Sequence, residues 1–436
     1  MKIVHVLGWY FPESTGGTEV YVAALCRRLR DAGHETLVAA PDAARLAAGS
    51  YEHEGTPVFR YPIPPRPTRD EAQGAVPVRG ASALEEFFAR HLPNVVHFHS
   101  GGLGAGPFAQ RAAVAAGART FFTAHESRLG HLCQRGDLLR FGEALCDGLC
   151  EPVKCADCAL HQRGMLRPLS SLLAAIPAPL SRAAQRLPSR IGTALSMRAL
   201  IAANQERQRE LVATVERFVV LTQAALEIAA RNGAPRHKLA LNRLGTDHAR
   251  AAKPTVPTRP PITVGYLGRF DRVKGVAVLA AAVARLPASV PLRVELRGPL
   301  RTDAERAVVA EVRALLRGDP RVVFAPAVDP REVPAVLAGY DVLCCPSLCL
   351  EGGPTVALEA YGAGTPVIGS RIGGLAEIVD DPWGALVPPG DAVALAALLR
   401  RIAEQPAATI DCWRRGLPIP RTMDDVARDY LALYAA

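Results

Sequence analysis

One pattern occurs twice in this chain and restricts its fold more than any other feature. A short apolar strand, Ile3–Leu7, runs into a loop rich in glycine and proline, Gly8–Gly17. A helical pattern follows over Thr18–Ala32, closed by Gly33, and then a second strand, Glu35–Ala40. Farther on the order restarts with a strand at Thr263–Leu267, a glycine-bearing loop, and a helix from Val276 to Leu286. Strand, loop, helix and next strand is the opening of a doubly wound parallel sheet. The first half is predicted to continue with strands at Val95–His99, Arg119–Thr123, Arg217–Thr222 and Lys238–Leu241. The second continues with Leu292–Arg297, Arg321–Phe324, Val342–Cys345 and Pro366–Gly369. Lys253–Pro261 carries four prolines and reads as the linker. A chain of 436 residues is too long for one core, which agrees with two α/β domains.

Charge separates the halves. Residues 1–250 hold 30 Lys+Arg against 22 Asp+Glu, and residues 251–436 hold 21 against 20. An anionic partner or membrane surface therefore suits the first half better. No basic run is long enough to argue for nucleic acid. The opening MKIVHVLGWY reads as a strand and not as a signal peptide, and no apolar run reaches the length of a membrane span. A cytoplasmic protein with reduced cysteines is the expectation, with peripheral contact to the inner face of the cell membrane as an addition.

The most informative local stretch is LCCPSLCLEGGPTVALEAYGAGTPVIGS, Leu343–Ser370. A strand is expected to end near Cys345–Pro346, a loop to carry Glu351, and a helix to open near Pro354–Thr355 with Glu359 just over a turn inside. Proline suits the first turn of a helix. The N–H groups of Gly352 and Gly353, ahead of a helix N-terminus, suit diphosphate or sugar oxygens. Two carboxylates beside an anion site suit hydroxyl groups, which a sugar nucleotide carries in number.

Together these segments resemble the family 4 retaining glycosyltransferases of GT-B architecture, two Rossmann-like domains facing a cleft. The resemblance rests on GYLGRFDRVKG (Gly265–Gly275), the E-x7-E segment (Glu351–Glu359) and GSRIGGLAEIV (Gly369–Val379). Weaker matches are GGTEVYV (Gly16–Val22), VHFHS (Val96–Ser100), TAHES (Thr123–Ser127) and RLGTD (Arg243–Asp247). It implies an acceptor-side domain over 1–252, a nucleotide-sugar domain over 262–415, and a helix over 420–436 crossing back to the first domain. It also implies transfer of a sugar from a nucleoside diphosphate sugar (UDP-, GDP- or another) to a hydroxyl acceptor: a glycan, a lipid-linked glycan or a small natural product. No catalytic metal is implied.

Residue roles follow from that resemblance. Negative charge builds on the leaving diphosphate, so a preorganised positive group must meet it. Arg269 offers a forked guanidinium and Lys274 a movable point charge. Glu351 is assigned to the donor sugar, Glu359 to the ribose hydroxyls, and Thr355 to the same donor pocket. Gly16 and Gly17 are expected to let the backbone approach the diphosphate. His125, after a strand end, is expected at the donor sugar or reacting centre. His97 and His99 share one strand face and read as structural histidines.

Two insertions interrupt the first half. Residues about 130–162 hold five cysteines, Cys133, Cys146, Cys150, Cys155 and Cys158, in a polar, loop-like segment with few core residues. Cys133, Cys146, Cys155 and Cys158 suit a structural Zn²⁺, with Cys150 spare or in place of Cys146, and His131 or His161 able to replace one thiolate. An Fe–S cluster uses the same ligands. Residues about 165–212 are rich in Leu, Ala, Pro and Arg, and their prolines forbid one long helix. Short amphipathic pieces there suit a membrane, a lipid-linked acceptor, or packing on the first domain. Other classes weighed are a non-hydrolysing sugar-nucleotide epimerase, a phosphorylase and a zinc-ribbon nucleic-acid binder. Two Rossmann-like halves and paired glutamates argue against the last.

Overall fold

A computed structural model of the chain describes residues 1–14, 16–126, 128–247, 257–350, 352–379 and 382–436. It divides into two compact units: Met1–Arg243 together with Met423–Ala436, and Leu244–Thr422.

The first unit is built on eight strands. In chain order they are β1 (Lys2–Val6), β2 (Glu35–Asp42), β3 (Gly49–His53), β4 (Thr56–Pro62), β5 (Val95–Phe98), β6 (Arg119–Ala124), β7 (Arg217–Val220) and β8 (Leu239–Leu241). Across the sheet they lie β8-β7-β6-β5-β1-β2-β4-β3. Every pairing is parallel except β3 on β4, which is antiparallel. Central strands are covered on both faces, so they are mostly apolar, with a few buried polar positions such as His5; Ile3, Val4 and Val6 of β1 are fully buried. Helix α1 (Gly17–Asp31) buries Val22, Leu25, Cys26 and Leu29. Chain order reverses between β1 and β5, and ligands in open α/β sheets bind outside the carboxyl ends of strands at such a point.

The cysteine-bearing insertion differs from its expectation. It contains a two-residue hairpin, Leu139–Arg140 with Ala144–Leu145, and helix α2 (Pro152–Gln162). Leu132, Leu138, Leu139, Ala156, Ala159 and Leu160 are buried, so the segment has a small apolar core of its own and is not a bare polar loop. Beyond it lie α3 (Arg167–Ala174), α4 (Ala178–Ala184), α5 (Arg190–Leu195) and the longer α6 (Met197–Thr214). The prolines at 168, 177, 179 and 188 mark the breaks. No helix among the described residues is long and apolar enough to cross a membrane.

The second unit has six strands: β9 (Ile262–Leu267), β10 (Leu292–Arg297), β11 (Val322–Ala325), β12 (Val342–Cys345), β13 (Val367–Ser370) and β14 (Gly384–Val387). They lie β11-β10-β9-β12-β13-β14, all parallel. Counted within the unit this is order 3-2-1-4-5-6, the arrangement of the dinucleotide-binding sheet, with its switch point between β9 and β12. Helix α7 (Thr355–Gly362) follows β12. The last helix, α8 (Met423–Ala435), belongs to the first unit; Arg28 Nε reaches Asp424 at 2.8 Å, and Asn242 Nδ2 donates to the Val426 carbonyl at 3.2 Å.

Candidate functional site

In the second unit the switch point brings together the loop after β9 and the loop after β12. Arg269, Lys274 and Gly275 lie on the first, and Pro346–Gly353 on the second. The two are stitched: Leu348 N donates to the Val273 carbonyl at 2.8 Å. Gly275 has φ +71°, and a Cβ there would stand 1.8 Å from the Pro346 oxygen. Only glycine permits that approach, which fixes the Lys274 turn against the end of β12. Arg269 is exposed, with its guanidinium 3.8 Å from the Asp271 carboxylate. A contact that long in water leaves the guanidinium available to a ligand.

Glu351 lies outside the described residues. Gly352 and Gly353 follow it, Gly353 at φ +103°. Helix α7 starts at Thr355, so Pro354 is its N-cap, one position earlier than a first-turn proline. No side chain caps this N-terminus and no acidic residue stands in its first turn, so its donors remain open to an anion. Glu359 is the fifth helical residue and half-buried. Its carboxylate has no hydrogen-bond partner among the described residues. Burial, and then the charge of Asp247, push its pKa up to about 7. A half-buried carboxylate without a donor is costly, and a ligand hydroxyl is the natural remedy.

In the first unit the corresponding loops follow β1 and β5. Gly16 is the N-cap of α1 and Gly17 its first residue. Glu19, in the first turn, folds back over this end: its carboxylate accepts from Ser14 Oγ and would lie 2.7 Å from a Cβ at Gly16. The N-terminus assigned to a diphosphate thus already faces a carboxylate. Nothing stands within 4 Å of a Cβ built on Gly17.

His125 follows β6 and is held in a row of imidazoles that the sequence reading did not join. His5 on β1 pairs in register with His97 on β5. His5 Nδ1 lies 3.0 Å from His99 Nε2, and His99 Nδ1 lies 2.9 Å from His125 Nε2. Burial pushes His5 and His125 down to about 3, and holds His97 and His99 well below the usual imidazole value. All four are neutral at pH 7. His5 Nε2 is buried with no partner. His97 belongs to a second branch: its Nδ1 meets Tyr434 Oη at 2.5 Å and its Nε2 meets Thr123 Oγ1 at 2.7 Å. Among the described residues His5, His97 and His99 are the one group of three whose ligand-type atoms lie within 4.8 Å of one another. Both nitrogens of His97 are already engaged by hydroxyls, so the cluster reads as a hydrogen-bond network. The clue in the sequence was H-x-H on a strand, with a third histidine on the neighbouring strand.

His125 lines a recess of 100 Å³ with Trp9, Ser100 and Glu126. It shares Gly101, Gly102, Arg128 and His131 with a larger cavity of 290 Å³, whose far wall includes Glu71, Asn204 and Arg207. Burial, then the charges of Arg207 and Arg128, push His131 down to about 4. This larger cavity carried no signal in the sequence, because its residues come from four separate segments.

All five cysteines of the insertion line one small cavity of 30 Å³. A hydrogen bond from Cys150 pulls the Cys155 thiol down against the effect of burial. No three of the five sulfurs lie within 4.8 Å of one another among the described residues. The donor set suits a soft cation, but closing four thiolates on one ion requires them to move inward.

Residues 16–245 match the family described as a glycosyl transferase 4-like domain, more than half of the chain. The chain belongs to that glycosyltransferase family. Residues 261–405 match a second description, glycosyl transferases group 1. A 2-deoxystreptamine glucosyltransferase from Streptomyces kanamyceticus is 31% identical over 233 residues, 48% of this chain and 59% of that protein. A D-inositol 3-phosphate glycosyltransferase from Corynebacterium urealyticum is 36% identical over 164 residues, 36% of this chain and 38% of that protein. The chain thus spans less than two thirds of the length of these relatives. Sucrose-phosphate synthase from Thermosynechococcus elongatus superposes with a TM-score of 0.65 at 20% identity, covering 100% of this chain and 98% of that one. Anabaena HepE in complex with UDP gives 0.65 at 15% identity, covering both chains fully. The chain shares the GT-B fold with these structures.

Proposed function

We propose that this chain is a retaining glycosyltransferase that moves a sugar from a nucleoside diphosphate sugar to a hydroxyl acceptor. The observation that carries the reading is Glu359. It is a half-buried carboxylate with no donor, one turn inside a helix whose open N-terminus sits at the switch point of a 3-2-1-4-5-6 sheet. A ribose supplies the hydroxyls it lacks, and a diphosphate suits the N–H groups of Gly352, Gly353 and Thr355. Arg269 and Lys274 meet the charge that develops on the leaving diphosphate. Glu351 holds the donor sugar, and Gly16 and Gly17 are assigned to the diphosphate. UDP or UDP-glucose in the HepE structures, which share the fold, agrees with a nucleotide-sugar donor.

His125 acts here as a neutral donor, and the row behind it sets its tautomer. Orphaned buried N–H groups are rare, so His5 keeps its proton on Nδ1 and leaves a bare lone pair at Nε2. His5 then donates to His99, and His99 Nδ1–H donates to His125 Nε2. This places the His125 proton on Nδ1, where it donates to a sugar or phosphate oxygen. His99 and His5 are positioning residues. No catalytic metal enters, and the leaving phosphate takes the acceptor proton on the same face. Retained anomeric configuration, read by NMR of the product, checks that step. An epimerase would convert the sugar nucleotide without any acceptor, which one control reaction excludes.

Cys133, Cys146, Cys155 and Cys158 are assigned to one structural Zn²⁺, with an Fe–S cluster the second choice for the same thiolates. Closed by four thiolates, it would brace the insertion and take no part in transfer. Metal below about a tenth of an equivalent in protein purified without chelators would end this assignment.

The donor site is tested by thermal shift with UDP, GDP, ADP and their sugars. Ligand binding to the native state raises stability by mass action. One base is expected to stand out in the wild type, and Glu359→Ala is expected to weaken it about 10-fold through loss of charge-assisted hydrogen bonds. No shift with any nucleotide, or an unaltered shift in Glu359→Ala, overturns the reading.

A further inference from the structure

Helices α3, α4 and α5 are inside out. Each packs on the rest of the first unit mainly through small or polar residues and turns most of its large apolar residues outward, with Leu173 and Leu195 half-buried. On α3 the buried positions are Ser170 and Ala174, with Ser170 Oγ donating to Asp157 at 2.6 Å. On α4 the buried position is Ser181, whose hydroxyl accepts from Ala199 N of α6 at 3.1 Å. Gly192 and Ala194 play the same part on α5. Outward stand Leu166 (79% exposed), Leu172 (69%), Leu180 (63%) and Ile191 (71%), with Leu169 and Leu187 about half exposed. All three helices lie against α6, so they form one layer. The layer is fixed in place: Arg69 Nη1 donates to the carbonyls of Gln185 and Leu187, and Arg198 Nη1 to that of Ile176. These leucines are held in water by an ordered scaffold.

Charge says what covers them. Between Asp157 and Glu206 the chain has no acidic residue and six arginines, at 163, 167, 182, 186, 190 and 198. Arg182, Arg186 and Arg190 are exposed, interleaved with the outward leucines, and have no ion pair among the described residues. A protein partner of ordinary composition requires carboxylates to match three free guanidiniums amid leucine. An anionic bilayer offers both chemistries at once: phosphate at the headgroups and hydrocarbon just beneath.

We propose that the α3–α5 layer docks the first unit on an anionic lipid surface, with its leucines in the headgroup–acyl boundary and its arginines on lipid phosphates. The contact is peripheral, consistent with the short helices. It does not depend on the donor-site assignment, because binding is read without turnover.

The test is co-sedimentation of the full chain with two kinds of vesicle: phosphatidylcholine alone, and phosphatidylcholine with phosphatidylglycerol in equal parts. Wild type is expected to bind the mixed vesicles about ten-fold or more tightly than the neutral ones, and to lose that preference in high salt. Leu166→Ser, Leu172→Ser, Leu180→Ser and Ile191→Ser combined should abolish binding to both. Arg182→Gln, Arg186→Gln and Arg190→Gln combined should remove only the preference for anionic lipid. These positions are exposed, so circular dichroism and the melting point should match wild type. Failure of wild type to bind the mixed vesicles overturns the proposal, as does equal binding by the leucine variant. A soluble dimer that the leucine variant dissociates also overturns it, since the face would then belong to a second copy.

Discussion

The two units share a topology but use their switch points differently. In the second, two of the assigned side chains are left for a ligand: an exposed Arg269 whose nearest carboxylate, Asp271, is 3.8 Å away, and a Glu359 without a donor among the described residues. In the first, the polar groups are already spent on one another, with Glu19 folded over the α1 N-terminus and His125 backed by His99 and His5. The second unit is built to be completed by a ligand. The first arrives with its polar groups preset, so its contribution lies in orientation more than in grip. Substitutions should therefore fail in different ways in the two units.

The largest effect is expected in the second. Arg269→Ala and Lys274→Ala should each lower kcat by on the order of 10²-fold or more, because each removes charge from the developing diphosphate anion. The melting point of Arg269→Ala should stay near wild type, as Arg269 is exposed. Near-normal turnover in the double variant would erase the contrast between the units.

Smaller, and different in kind, is His99→Leu. It cuts the row behind His125 without touching any substrate. A loss of roughly 10- to 100-fold in kcat is expected, the size usual for a group that orients another, with donor KM nearly unchanged. Nitrogen NMR of His125 supplies the readout that mere destabilisation would not move: wild type should carry its proton on Nδ1, and the variant should shift toward Nε2. An unchanged tautomer shows that the row orients nothing.

The last effect falls on stability and not on turnover, and its sign follows from the histidines. Their folded pKa values lie below the ordinary 6.5, so their stabilising contribution is complete above that pH. It is lost as pH falls from about 6.5 toward 3, where the unfolded chain takes up protons that the folded chain refuses. Each such group costs up to about 1.4 kcal/mol per pH unit within that window. Glu359 opposes this as a single group, since its raised pKa favours the folded state between about 7 and its ordinary value. Urea midpoints should therefore be lower at pH 5 than at pH 7. An equal or higher midpoint at pH 5 would mean that the row is solvated.

The same contrast governs how much was legible in the sequence. The second unit was readable because most of its strands are compact apolar runs and each motif lies within a dozen residues, so Gly265–Gly275 and Glu351–Glu359 point to the fold and to the proposed site together. Its missed strand, β14, begins with glycine and has only four residues. In the first unit β3 and β4 went unread. Gly49–His53 is a polar edge strand without alternation, and Thr56–Pro62 contains prolines that ordinarily argue against a strand. The histidine row was invisible for another reason. Its members are separated by up to 120 positions and meet only through strand register, which no local pattern records. His97 and His99 did read as structural, and His99 proves to be the link to His125.

The return of α8 to the first unit bears on the order in which the protein is made. Tyr434 and Tyr430 close the branch at His97 and Thr123, and Arg119 Nη1 donates to the Tyr434 carbonyl at 2.5 Å. Those partners leave the ribosome only after residues 244–422 have been synthesised. The first unit begins earlier and finishes last, with buried histidines and exposed strand ends waiting for a helix some 180 residues downstream. A nascent chain stalled before Met423 presents an unsealed core, which makes that interval the one in which a chaperone matters most.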